Sequence, residues 1–197
     1  MKKTVCLVLI CQLLSCFIFS SISDTANDSN IYDFKQFNWY DSVEKIKEIE
    51  GEPSDEGDSQ AGHTLYYDVN AIGLDAFLGY SFNKNGLCDV MYVFTEKHSS
   101  ASSYIYDFNT IKEALDKKYG EPIICRELWD TSEHESYYSD NKGQALEYGY
   151  LKLVAKYELE RTSIMLITSS VNYEIGTSLS YVSKVNPVEE IDYSNDI

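Results

Sequence analysis

A helical pattern closed by Gly-Glu-Pro occurs twice, at Gly51-Glu52-Pro53 and at Gly120-Glu121-Pro122, and each copy is followed by segments of strand character. The second copy stands 69 residues after the first, a spacing that marks a tandem α/β unit. Glycine supplies the positive φ at which a helix stops, and proline cannot continue it. The feature constrains architecture and leaves chemistry open, because no nucleophile, metal or phosphate motif accompanies either copy.

The first helix is expected to start in a capping box, with Asp41 as the cap and Glu44 reaching back, and to bury Val43, Ile46 and Ile49. Residues 54–62 read as an acidic turn. Leu65, Tyr67 and Val69 then alternate with polar neighbours as a half-buried strand does. A second strand spans about 78–82, and Asn83-Lys84-Asn85-Gly86 predicts a hairpin, since Asn and Gly tolerate the positive φ it needs. In the return strand Cys88, Val90, Tyr92 and Phe94 share one face while Leu87, Met91 and Val93 share the other. Apolar residues on both faces predict a central strand covered at least partly on both sides. After a polar linker, Asp107 or Asn109 is expected to cap a second helix with the stripe Ile111, Ala114, Leu115 and Tyr119. Residues 122–129 read as a strand, Asp130 to Gly143 as a polar stretch, and 145–157, 162–168 and 177–182 as the remaining strands.

Short connections favour antiparallel pairing. The expected fold is therefore α+β, with two helix-plus-antiparallel-sheet units in the order α-βββ-α-ββββ and both helices on one face of the sheet. The units span 31–100 and 101–186 of a single domain, 31–186. Residues 24–30 are expected as a flexible lead and 187–197 as a flexible acidic tail.

Lys2 and Lys3 before an apolar run from Val5 to Phe19, then Ser20, Ser21 and Ser23, read as a signal peptide over 1–23. The run is slightly short for a spanning helix, so no spanning segment is expected in the mature chain. Leu13-Leu14-Ser15-Cys16 offers an alternative, lipidation at Cys16, although Phe17-Ile18-Phe19 stands where a polar tether is expected. Either route sends the protein out of the cytoplasm, secreted or held in the envelope. Loss of the two leader lysines takes the formal charge from −16 to −18. Nucleic acid and anionic membrane are disfavoured partners for such a chain. Outside the leader only Cys88 and Cys125 remain, and they read either as a disulfide across neighbouring strands or as two buried thiols.

Trp39 and an acidic cap opening a helix that ends in Gly-x-Pro, followed by Tyr80-Ser81-Phe82, Gly86-Leu87 and Val90-Met91-Tyr92, resemble the tandem repeat of small exported bacterial proteins. The group is that of the β-lactamase-inhibitor protein and the outer-membrane assembly lipoproteins. The resemblance covers about 31–185 and implies a binding module rather than an enzyme, acting through an exposed sheet face or loops. It carries over no functional residue, and the Asp130 to Gly143 segment departs from the simple repeat.

No catalytic constellation stands out. His63, His98 and His134 lie far apart, and Glu133-His134-Glu135 lacks the spacing of a metal site. Asp55-Glu56-Gly57-Asp58 lacks the ligand order of a calcium loop. No metal and no cofactor is expected. The best functional hint is aromatic: Tyr137 and Tyr138 in the polar stretch, with Trp129 just before it, as contact surface for another protein or a glycan. The sequence is read as a monomeric, noncatalytic binding or envelope-associated module. A secreted carboxylate-dependent hydrolase and a purely structural envelope protein stand as alternatives.

Overall fold

A computed structural model describes residues 32–59 and 62–187. The expected signal peptide, the lead at 24–30, the lipidation site Cys16 and nearly all of the acidic tail lie outside the described residues. The unit Ile31–Ile197 holds every element below.

Two helices end as the repeated tripeptide dictates. The helix α1 (Val43–Glu50) stops at Gly51, φ 90°, whose N–H donates to the Lys47 carbonyl. The helix that bears the second stripe, Ala101–Tyr119, stops at Gly120, φ 80°, whose N–H donates to the Asp116 carbonyl. Their beginnings differ from expectation. Ser42, not Asp41, caps α1, its hydroxyl accepting from the Lys45 N–H. Asp41 instead accepts from the Asn38 N–H and pairs with the Lys45 ammonium. The second helix starts eight residues before Asn109, behind Ser100, and Asp107 lies buried within it. Its inward face is Tyr104, Phe108, Ile111 and Leu115, each three or four residues from the next.

The strands are β1 (Asp55–Ser59), β2 (Gly62–Ala71), β3 (Leu74–Asn83), β4 (Gly86–Phe94), β5 (Ile124–Trp129), β6 (Leu151–Glu158), β7 (Thr162–Val171) and β8 (Glu174–Ser183). They form one antiparallel sheet in the order β1-β2-β3-β4-β8-β7-β6-β5. The long helix is α2, and two short helices, α3 (Ser132–Tyr138) and α4 (Lys142–Glu147), stand between β5 and β6. The chain is α+β, but the order is α-ββββ-α-β-α-α-βββ rather than α-βββ-α-ββββ.

Two expectations miss for physical reasons. The acidic turn at 54–62 contains β1, an edge strand of sequence DEGDS with no apolar face; water serves its outer edge, so composition gives no strand signal. The strand expected at 145–157 loses its first turn to α4, because Asn141 caps that helix and Gly149, φ 78°, reverses the chain before β6.

One face of the sheet carries the core. Leu65, Leu78, Tyr80, Val90, Ala155, Ile164 and Leu166 are fully buried there under α1, α2 and the Phe34–Trp39 segment. Trp39 donates its indole N–H to Thr162 Oγ1 at 3.0 Å. Asp33 holds Arg161 in a two-pronged pair at 2.9 and 3.2 Å, which raises the guanidinium above its ordinary value. The other face is open, which corrects the expectation that β4 is covered on both sides: Met91 is 39% exposed and Val93 44%. One row across this face runs Asp55, Tyr66, Gly79, Met91, Ser180, Met165, Lys156, Ile124. The next runs Asp68, Phe77, Val93, Ser178, Ile167, Val154, Arg126.

Asp89 sits half-buried on this face, opposite Val182, with no ion pair or side-chain hydrogen bond among the described residues. Burial pushes its carboxyl up to about 6. An unfolded Asp titrates near 3.9, so between about 4 and 6 the folded state binds the extra proton. Asp89 therefore favours folding below pH 4, and that contribution is lost as pH rises through 6. Asp89→Asn is expected to stabilise the protein by about 1–2 kcal/mol at pH 7.5 and to change little at pH 4. Urea melts at the two pH values check this, and an equal effect at both would refute it.

Candidate functional site

The aromatic surface between β5 and β6 is built by capping. Thr131 Oγ1 accepts from the His134 N–H at 3.1 Å and opens α3, while Asn141 Oδ1 accepts from the Gln144 N–H at 3.3 Å and opens α4. Tyr137 and Tyr138, expected in a loop, thus stand on the last turn of a helix. Gly143 lets α4 lie against α2, since a Cβ there would come 2.6 Å from Ser102 Oγ and 3.0 Å from its N. The positive φ of Gly149 then turns the chain so that Tyr148, expected in a strand, and Tyr150 bracket one corner.

Six rings meet at this corner. His134 stacks on Tyr150, with centroids 3.7 Å apart and planes at 15°. Tyr138 contacts Tyr137 at 4.8 Å, Tyr150 at 5.5 Å and Tyr148 at 6.1 Å. Tyr148 in turn meets Tyr150 at 5.7 Å and Tyr173 at 6.0 Å, both edge to face. The tyrosine–tyrosine contacts, edge to face or tilted, lie in the range aromatic quadrupoles favour, whereas His134 and Tyr150 form a near face-to-face stack. Tyr138 and Tyr150 rest against the hydrophobic core, whereas Tyr137 is 80% exposed and Tyr173 72%. Partial burial among Tyr150, Tyr137 and Tyr148 holds the Tyr138 hydroxyl above its usual value.

Tyr173 occupies an unusual place. It follows Asn172 in the two-residue turn between β7 and β8, both at positive φ, 51° and 67°. Such turns select Asn and Gly, and a tyrosine there costs about 1 kcal/mol. The ring remains exposed beside Tyr148 despite that cost.

Carboxylates rim the rings. Asp130 Oδ1 lies 2.8 Å from His134 Nδ1, and Glu133, Glu135 and Asp140 are on or beside α3. Lys142 is engaged with Glu127 at 2.7 Å. Behind Tyr173 a cleft of about 230 Å³ is lined by Lys97, His98, Tyr104, Glu147, Tyr173 and Glu174, among others. Its His98 Nε2 lies 2.5 Å from Asp107 Oδ2 and its ring meets Tyr104 edge-on.

Trp129 is not on the exposed part of this surface. It is the last residue of β5, half-buried against the core, with Asp130 N–H bonded to the Tyr150 carbonyl. The sequence does not single out Tyr148 and Tyr150, which fall in the segment that reads as strand 145–157, where tyrosines read as sheet packing, nor Tyr173, which falls between the segments 162–168 and 177–182. The Asn172-Tyr173 pair between two alternating segments was the signal that could have found the turn.

The disulfide expectation is corrected, and of the alternative pair of buried thiols only Cys88 is buried. Cys88 is buried on β4 and Cys125 exposed on β5, both as free thiols. Three strands, β8, β7 and β6, separate β4 from β5, roughly 19 Å at the usual strand spacing, so the two cannot bridge within one chain. Burial pushes the Cys88 thiol up to about 11, and its Sγ–H donates to the Ser81 carbonyl, as an unreactive thiol would.

Among the described residues no three His, Cys, Asp or Glu side chains are placed to hold a metal ion. The Asp55-to-Asp58 run is strand, with Glu56 paired to Lys47 and both Glu56 and Asp58 against His63. Among the same residues no helix is long and apolar enough to cross a membrane.

The fold and this corner define a class, an α+β protein whose most developed surface is aromatic and acidic. No family model matches the chain, and no curated protein does. It is similar to a solved structure, a DUF4309 family protein (YjgB) from Bacillus subtilis subsp. subtilis str. 168, at 14% identity and a TM-score of 0.39, over 73% of this chain and 78% of that one.

Proposed function

We propose that the protein is an exported, noncatalytic binding module of the cell envelope that takes a basic protein segment on its tyrosine corner. The observation that carries this reading is the run of six touching rings ending in the exposed Tyr137 and Tyr173 and rimmed by carboxylates. Tyrosine rings give large contact area at low entropic cost, and their faces attract Arg and Lys. The surrounding carboxylates and the net charge of −16 select the same partners.

The scaffold under this reading is a duplicated unit, 31–100 and 101–186, with α3 and α4 inserted in the second copy. Support comes from the matching glycine stops and from the strand order, which is a four-strand meander on each side of the β4–β8 junction. In each half a core-facing tyrosine reaches the preceding helix end: Tyr67 donates to the Gly51 carbonyl and Tyr157 to Asp116.

The test is titration of an alternating Arg-Gly decapeptide, read by calorimetry. Tyr137→Ala with Tyr173→Ala is expected to weaken binding about 10-fold, two contacts of about 0.7 kcal/mol each. Binding that survives the double change while falling with salt would mean unspecific charge attraction and would sink the proposal. Capture of a neutral glycan in place of the peptide would do the same.

A further inference from the structure

We infer that the open face of the sheet is a self-complementary docking surface whose occupant is a second copy of this chain. The inference rests on the register, and is independent of the tyrosine corner, which is built on the side of the sheet that carries the helices.

The charges of the open face are sorted across the strands. Asp55, Asp68 and Asp75 stand on the β1–β3 flank, and Arg126, Lys152 and Lys156 on the β6–β5 flank. Between them the two rows hold only Phe77, Gly79, Met91, Val93, Ser178, Ser180 and neighbours without charge. On the central strands β4 and β8 this face carries two charges, Asp89 and, at the hairpin end of β8, Glu174. Glu158 is the one acid on the basic flank, and it is already engaged by Lys156 at 2.7 Å and Lys184 at 3.2 Å. Asp68, Arg126 and Lys152 have no ion pair among the described residues.

Half a turn about an axis parallel to the strands, passing between β4 and β8, lays such a face on itself. β5 and β6 of one copy then lie over β1 and β2 of the other, so each basic flank meets an acidic flank twice over. The central apolar strip meets itself. The alternative twofold, perpendicular to the strands, would put acid on acid, so the charge pattern selects one of the two symmetric arrangements. A hollow of about 560 Å³ lined by Asp68, Asn70, Asp75, Phe77 and Thr95 opens on the acidic flank, where Arg126 of the second copy arrives.

The size is sufficient. Eight strands at about 4.8 Å and about 20 Å of strand length give on the order of 700 Å² per copy, the range of specific interfaces, and sheets pack face to face about 10 Å apart. The patch is also of the kind a monomer seldom leaves bare. Phe77 is 47% exposed, Val93 44% and Met91 39%, and all three are adjacent on β3 and β4.

The experiment is sedimentation velocity from 1 to about 100 µM at pH 7.5 on the protein as isolated from the expressing cell, whatever processing its N-terminus has undergone. A concentration-dependent dimer is expected. Arg126→Asp and Asp68→Arg, singly, are each expected to raise its dissociation constant about 10-fold, and Met91→Lys to abolish it. The double exchange, Asp68→Arg with Arg126→Asp, is expected to restore the dimer, because the two side chains, in one row and one strand apart across the axis, again carry opposite charges. Circular dichroism confirms that the exposed substitutions leave the fold intact. A parent chain that stays monomeric throughout overturns the inference. So does a dimer indifferent to Met91→Lys, or single charge changes that the double exchange does not rescue. A chain ending at Pro187 that dimerises when the full chain does not would assign the face to the chain's own residues 188–197, and would also overturn it.

Discussion

Tyr80→Ala is expected to lower the unfolding free energy by about 4–5 kcal/mol, at the upper end of what a single core truncation costs. Tyr80 is wholly buried in the middle of the sheet, between Leu65 of β2 and Val90 of β4. Its ring meets Phe37 at 5.6 Å, Tyr67 at 5.7 Å and Phe34 at 6.0 Å, all near edge to face. Three losses coincide on truncation: the transfer energy of the ring, the cavity among rings that cannot all collapse, and the hydroxyl that donates to Glu50 Oε1 at 2.6 Å. Burial, with that carboxylate at its tip, raises the hydroxyl far above its usual acidity range, so it stays a donor at every working pH. Glu50 keeps a second partner, Lys35 at 3.0 Å. Tyr80→Phe should therefore cost only about 1–2 kcal/mol. Urea unfolding of the two variants decides it. A Phe variant as damaged as the Ala variant would place the energy in the hydrogen bond rather than in packing, against this account.

The elements legible in the sequence are those whose signal is local. Gly51 and Gly120 end helices by backbone conformation alone, and their outcome needs nothing from the rest of the fold. The inward residues of β2, β3, β6 and β7 alternate because one face of each is wet, so period two survives tertiary packing. Where the reading failed, the deciding contact is distant or absent. β1 is strand because β2 offers it an edge, and its own residues carry no apolar alternation. Met91 and Val93 suggest burial by composition, but every helix lies on the opposite face, a matter of which side the chain crosses. The tyrosine corner gathers residues 134 to 173 from two short helices, a strand start and a hairpin turn, so its two sequence-visible members, Tyr137 and Tyr138, could not announce the others.

Gly86→Ala carries the second large expectation, a loss of about 3–4 kcal/mol, and it divides into two parts that a second variant separates. The residue is visible in the sequence as the end of a hairpin turn, and φ 112° is the conformation a glycine is chosen for. That alone would cost alanine about 1–2 kcal/mol. The larger part comes from a segment the turn signal does not mention. A Cβ on Gly86 would lie 2.4 Å from the Tyr40 carbonyl oxygen, 2.6 Å from its carbon and 2.9 Å from the Asp41 oxygen, all backbone atoms that no rotamer can move. That segment is tied in place by Tyr40 N–H to the Leu87 carbonyl at 3.0 Å and Leu87 N–H to the Asp41 carbonyl at 2.8 Å. From the other side the buried Asn186 donates to the carbonyls of Gly86 and Leu87 at 3.2 and 3.0 Å. Alanine must push the segment off and strain this three-way junction. Gly73 is the control, with φ 81° and nothing within 4 Å of a Cβ. Gly73→Ala should show the conformational part alone, about 1 kcal/mol. If urea melts give the two substitutions equal cost, the close approach of Tyr40 and Asp41 contributes nothing; a difference of about 2 kcal/mol assigns the glycine to the junction rather than to the turn.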